Sequence, residues 1–102
     1  MKIVGIAHLY FFTKEEGGQD KLITTNFSTP IFFDDYSEKR FGHWSAVIEF
    51  IIPPNADRRA VAEIYLLFHE KDEAPNHLIE PGRKFILVPK VASGEFVSIK
   101  NY

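Results

Sequence analysis

Apolar residues in this chain come in short alternating runs, each cut off by glycine, proline or a polar cluster before a long helix could form. Brief period-two segments between turn signals are the mark of an all-β chain, because successive strand side chains point to opposite faces. Residues 3–12 make the first run. Ile3, Ala7, Leu9 and Phe11 share one parity, and Val4, Ile6, Tyr10 and Phe12 share the other. Both faces are largely apolar, which predicts a strand whose outer face is covered or serves as an interface. Gly17-Gly18 then signals a turn.

Residues 24–33 are β-rich but carry Asn26, Ser28 and Pro30. Proline cannot donate to a ladder, so Pro30 is expected at an edge, a strand start or a bulge. Residues 34–42 are charged and read as a connection. The next strand, 44–52, places Trp44, Ala46, Ile48 and Phe50 on one face and is stopped by Pro53-Pro54-Asn55. Residues 57–68 (DRRAVAEIYLLF) admit two readings. Asp57 is an acceptable helix N-cap and the alanines and leucines are good helix formers. As a strand, Ala62, Ile64, Leu66 and Phe68 face inward and Glu63, Tyr65 and His69 outward. The strand is preferred, since its neighbours are strands. Residues 69–81 are polar and turn-prone, 83–88 form a strand, 89–94 a tight connection and 95–99 the closing strand.

Six strands in 102 residues predict one domain covering 1–102, folded as a small closed antiparallel barrel that leaves no sheet edge free. Its core is expected to be ring-rich, because ten phenylalanines carry most of the aromatic content. Phe11, Phe12, Phe32, Phe33 and Tyr10 are read as packing rather than as a base-stacking platform, since few basic residues interleave with them.

The chain has no cysteine, which excludes disulfides and cysteine-based zinc sites and is compatible with a cytoplasmic protein. His8 interrupts the apolar start and a charged TKEEGG follows it, which argues against a signal peptide. No stretch reaches the length of a membrane helix. The formal net charge of −2 disfavours non-specific grip on long nucleic acid.

Catalytic patterns are missing from the sequence. It contains no phosphate-binding glycine loop and no nucleophile elbow. His69-Glu70 matches half of a zinc-protease pattern, but the second histidine position holds Glu73. His8, His43, His69 and His77 are read as surface or strand-end residues. The neighbouring acids Glu15-Glu16 and Asp34-Asp35 are read as solvated loop residues rather than a glycosidase pair. No enzymatic activity, cofactor, metal or nucleotide hydrolysis is expected.

Residues 9–18 (LYFFTKEEGG) resemble the first strand and following loop of the C-terminal barrel, domain III, of bacterial elongation factor Tu, where a V/L-Y-x-L-x-K-E-E-G-G run is characteristic. Residues 30–33 (PIFF) are similar to that family's P-Q-F-Y-F strand. Residues 82–99 (GRKFILVPKVASGEFVSI) are similar to its terminal strand pair, while 34–78 match weakly. The resemblance implies a six-stranded Greek-key barrel and a scaffold that, in the parent factors, helps hold aminoacyl-tRNA beside a separate GTPase domain. The basic positions do not carry over. Gln19-Asp20 stands where the family has Arg-His, the arginine of G-Y-R-P is absent at residues 27–30, and the glycine-rich tip of the terminal hairpin is reduced to Pro89-Lys90. A carboxylate in place of a base repels phosphate.

These observations predict a non-catalytic, stand-alone binding module, with a protein partner or self-association preferred. An RNA- or tRNA-binding accessory domain and an inhibitor or immunity-like protein are the alternatives. A continuous positive surface joining Lys14, Lys21, Arg83, Lys84 and Lys90 would favour RNA. Candidate contact residues lie in two loops and one hairpin tip: Lys14, Gln19 and Asp20; Tyr36, Lys39, Arg40 and Phe41; and Lys90.

Overall fold

The computed structural model describes residues 2–33 and 44–101. The candidates Tyr36, Lys39, Arg40 and Phe41 lie outside the described residues. Six strands are present: β1 (Ile3–Phe11), β2 (Phe27–Phe33), β3 (Trp44–Ile52), β4 (Arg59–Leu66), β5 (Lys84–Leu87) and β6 (Ala92–Asn101). They close in the order β1-β4-β3-β2-β5-β6, every pairing antiparallel. β2, β3 and β4 form a meander and β1 lies beside β4, which is the order of a Greek key. The expected closed barrel is the observed one.

Within residues 57–68 the strand reading holds, over Arg59–Leu66. Ala60, Ala62, Ile64 and Leu66 are buried, while Arg59, Val61, Glu63 and Tyr65 take the opposite parity. Phe68 is a correction: it is half exposed. The ladder ends where the Leu67 N–H reaches the Ser45 carbonyl, and the chain then turns.

Inside, the chain buries Leu9, Phe11, Ile31, Phe33, Ile48, Phe85, Leu87 and Phe96 among others, and among the described residues no polar or charged residue is buried. Phe85 and Phe96 stack with centroids 4.7 Å apart, and Phe11, Phe27 and Phe50 form a second tilted cluster at 6.0–6.3 Å. Packing accounts for Phe11 and Phe33. It does not account for Tyr10, Phe12 and Phe32, which are only half-buried.

Pro30 sits mid-strand, paired with Ser45 of β3 and with no register partner on the β5 flank, so the expected edge is met locally on that flank. Its carbonyl accepts from the Val88 N–H, so its nitrogen faces the same flank, where β5 has already ended at Leu87. No ladder bond is lost there. β6 begins at Ala92, earlier than the expected residue 95, because Ala92, Ser93 and Gly94 pair with Leu87, Ile86 and Phe85. Two register shifts, at Phe50/Ile52 and opposite Ile6/Ala7, leave Ile51 and Val97 as the extra residues of bulges, and both are half exposed. The turn-prone segment after β4 contains a 3₁₀ turn at Asn76–Leu78 and buries Ala74, Leu78 and Ile79, so it supplies part of the core.

Candidate functional site

The sequence TKEEGG has a complete local explanation. Thr13 Oγ1 accepts the Glu16 N–H at 3.2 Å, and the Glu16 carboxylate accepts the Thr13 N–H at 2.8 Å. This reciprocal pair is a capping box around a single turn. Gly18 N–H then donates to the Thr13 carbonyl and Gly17 N–H to the Lys14 carbonyl, which is a Schellman closure with Gly17 at φ 95°. A side chain at Gly18 would strike the Phe12 backbone.

The same turn fixes Tyr10. Its hydroxyl donates to Glu16 Oε1 at 2.7 Å, and Arg59 stacks its guanidinium 5.6 Å from the Tyr10 ring. The bond to Glu16 raises the Tyr10 pKa. Glu16 is held below the ordinary glutamate range, first by the Thr13 N–H and then by the Tyr10 hydroxyl. A depressed acid pKa means that this tie is complete above the ordinary glutamate value and is lost as pH falls through Glu16's own lower one. In an NMR titration, Tyr10→Phe is expected to move the Glu16 midpoint upward, part of the way to the ordinary range. An unchanged midpoint would remove the hydroxyl from the account.

The predicted residues Lys14, Gln19, Asp20 and Lys90 all gather around this loop, and most of their capacity is spent within the chain. Lys14 pairs with Asp20 at 3.4 Å, both highly exposed. The Gln19 and Asp20 carbonyls accept from Arg58, which also donates to the Phe12 carbonyl at 2.9 Å. Lys90 lies over the Phe12 ring, 5.4 Å from its centroid. These contacts make the loop a brace for the end of β1.

A larger depression lies away from this loop. A groove of about 560 Å³ crosses the outside of the barrel, lined by His8 and Tyr10 of β1, Phe32 of β2, Arg59 of β4, Lys84 and Ile86 of β5, and Ser93 and Glu95 of β6. Its volume is that of a ligand site. Strand register explains the lining. Arg59 pairs with Tyr10, Tyr10 with Ser93, Ser93 with Ile86 and Ile86 with Phe32, giving one row across five strands. A second row joins His8, Glu95 and Lys84. Ser93 supplies the smallest side chain of the first row, between Tyr10 and Ile86. No family model, curated protein or solved structure matches this chain.

The groove mixes aromatic and aliphatic surface with two cations, one carboxylate and one imidazole. Among the described residues, no hydrogen bond or ion pair engages the side chains of His8, Lys84 or Glu95. Among the described residues no group of three His, Asp or Glu is placed to hold a metal. No helix is long and apolar enough to cross a membrane. Chemically, the arrangement can seat a mixed apolar and anionic group by burial and charge. None of the groove residues is among the eight candidate contacts; the sequence reading names Tyr10 and Phe32 as packing rings, the outer face of 3–12 as covered or an interface, and Lys84 as one member of a basic surface that would favour RNA. The outward-parity pairs His8/Tyr10, Lys84/Ile86 and Ser93/Glu95 are the signal that joins them.

Proposed function

We propose that this chain is a non-catalytic binding module on an elongation-factor-type barrel and that it holds a protein partner in the groove on its outer face. The observation that carries the reading is the groove itself. It is a broad, partly apolar depression in which Tyr10 and Arg59 are already ordered by each other and by Glu16. Side chains held in place before binding lose less entropy on association. Aromatic residues and arginine are also the types that most often dominate binding energy.

RNA binding is the second reading, favoured by Arg59 and Lys84 flanking the half-buried rings of Tyr10 and Phe32. Charge placement supports it less well. Lys14 is neutralised by Asp20, Arg83 by Glu80, and Lys84 is the register partner of Glu95. The positive groups therefore alternate with carboxylates rather than forming a continuous track.

Ser93→Trp tests the protein-partner reading, because an indole there fills the groove from an outward, half-buried position. Capture of a defined partner is expected to fall at least tenfold with the melting temperature nearly unchanged. Undiminished capture would sink the groove as the binding surface. Binding to tRNA that weakens steeply between low and moderate salt would instead select the RNA reading.

A further inference from the structure

The occupant of the groove can be specified further, on the basis of the binding-module reading above. We propose that it is an extended acidic segment of the partner. Two carboxylates four residues apart engage Arg59 and Lys84, and an apolar side chain between them rests on Tyr10, Ser93 and Ile86.

Three features lead to this chemistry. The first is charge. Arg59 and Lys84 outnumber Glu95 in the groove, and both cations are exposed. Among the described residues neither has an ion-pair partner. Arg59 lies over the Tyr10 ring, so its planar fork is oriented rather than free, and such a fork matches a carboxylate.

The second is spacing. Arg59 is on β4 and Lys84 on β5, with β1 and β6 between them. Three inter-strand steps, with the two-residue offset of Lys84 from Ile86 along β5, put the backbones of the cations roughly 16 Å apart, and four residues of extended chain span roughly 13 Å, a difference within the reach of the two long side chains. In an extended peptide, residues i, i+2 and i+4 point to one side. An acidic, apolar, acidic order at those positions puts its middle side chain over the row of Tyr10, Ser93 and Ile86.

The third is Glu95, which lies between His8 and Lys84 in the second row. A polyanion laid along the groove meets this carboxylate along its length. A segment with only two well-spaced carboxylates meets it once, at the end seated on Lys84, the register partner of Glu95. The groove therefore discriminates for a sparsely charged peptide and against a phosphodiester chain.

The test is an amide NMR titration of the full chain with a terminally blocked GSDSFSDSG peptide, its GSKSFSKSG counterpart and a single-stranded RNA hexanucleotide. Saturable shifts at His8, Tyr10, Ile86 and Ser93 are expected with the acidic peptide alone. Arg59→Ala and Lys84→Ala should each weaken it about tenfold, the scale of one charge-assisted hydrogen bond. Glu95→Gln should tighten it several-fold, and misfolding cannot mimic a gain. Equal binding of the lysine peptide, no saturable shift with the acidic peptide, or a Glu95→Gln variant that binds more weakly would overturn the proposal. Groove shifts caused by the RNA instead would also overturn it while leaving a groove-based binding module standing. If a partner is still captured and Ser93→Trp still releases it, only the acidic-peptide assignment has failed.

Discussion

Phe96→Ala is expected to lower the unfolding free energy by about 3–5 kcal/mol, the range for removing a fully buried ring. Phe96 is completely buried, stacks on Phe85 at 4.7 Å and lies against Gly5 of β1. It therefore touches both strands that flank β6, at the seam where the first and last strands meet. The surrounding strands are tied into a closed ladder and cannot collapse onto the space left behind. A domain of this size is stable by only about 5–15 kcal/mol, so the variant should lose at least about a fifth of that margin. Denaturant unfolding of both proteins measures this. The midpoint should fall while the slope with denaturant stays the same, since the surface exposed on unfolding is almost unchanged. A loss below about 1 kcal/mol would mean that the Phe96 ring is not in the core.

Gly5→Ala is the converse experiment, adding one carbon where there is no room. A Cβ at Gly5 would overlap the Phe96 ring and come within 2.7 Å of Ile79 Cγ2. Overpacking of this kind typically costs about 1–3 kcal/mol, because the ring and Ile79 must leave their preferred positions. The glycine is required here by the close approach of the ring across the seam. Phe96→Leu withdraws the atoms that clash, so Gly5→Ala combined with Phe96→Leu should be less destabilised than the sum of the two single changes. Couplings between touching residues run to about 0.5–3 kcal/mol. Strict additivity in denaturant melts would show that the two residues do not meet.

The strands were legible because each is a local pattern. Alternation over residues 44–52 and 59–66 reports which side chains go inward whatever the partner strand is. Where a single residue is inserted, the pattern misleads. Ile52 shares the parity of Ala46 and Ile48, yet it is exposed, because the extra residue Ile51 shifts it opposite the outward-facing Val61. The contribution of Ala74, Leu78 and Ile79 was hidden for another reason, since a few apolar residues in a polar segment have no period to betray them.

The groove was less legible than the barrel. Its residues run from His8 to Glu95 in sequence and come together only through cross-strand register, which alternation cannot supply. The TKEEGG run drew notice for its distinctiveness, and the structure gives it a mechanical task. Its capping box and glycine closure hold Glu16 where it can orient Tyr10, one wall of the groove. A motif placed in a loop thus acts on a surface built from strands.

Site-specific photo-crosslinking tests the central claim most directly. A benzophenone side chain is placed at Ile86 in the groove or at Ile51 outside it, positions that are 46% and 50% exposed. Exposure being matched, only the groove position is expected to give a discrete adduct with a partner protein, and Ser93→Trp should abolish it. Equal adducts at the two positions, or a discrete adduct at Ile51 alone, would contradict a barrel that binds through this face.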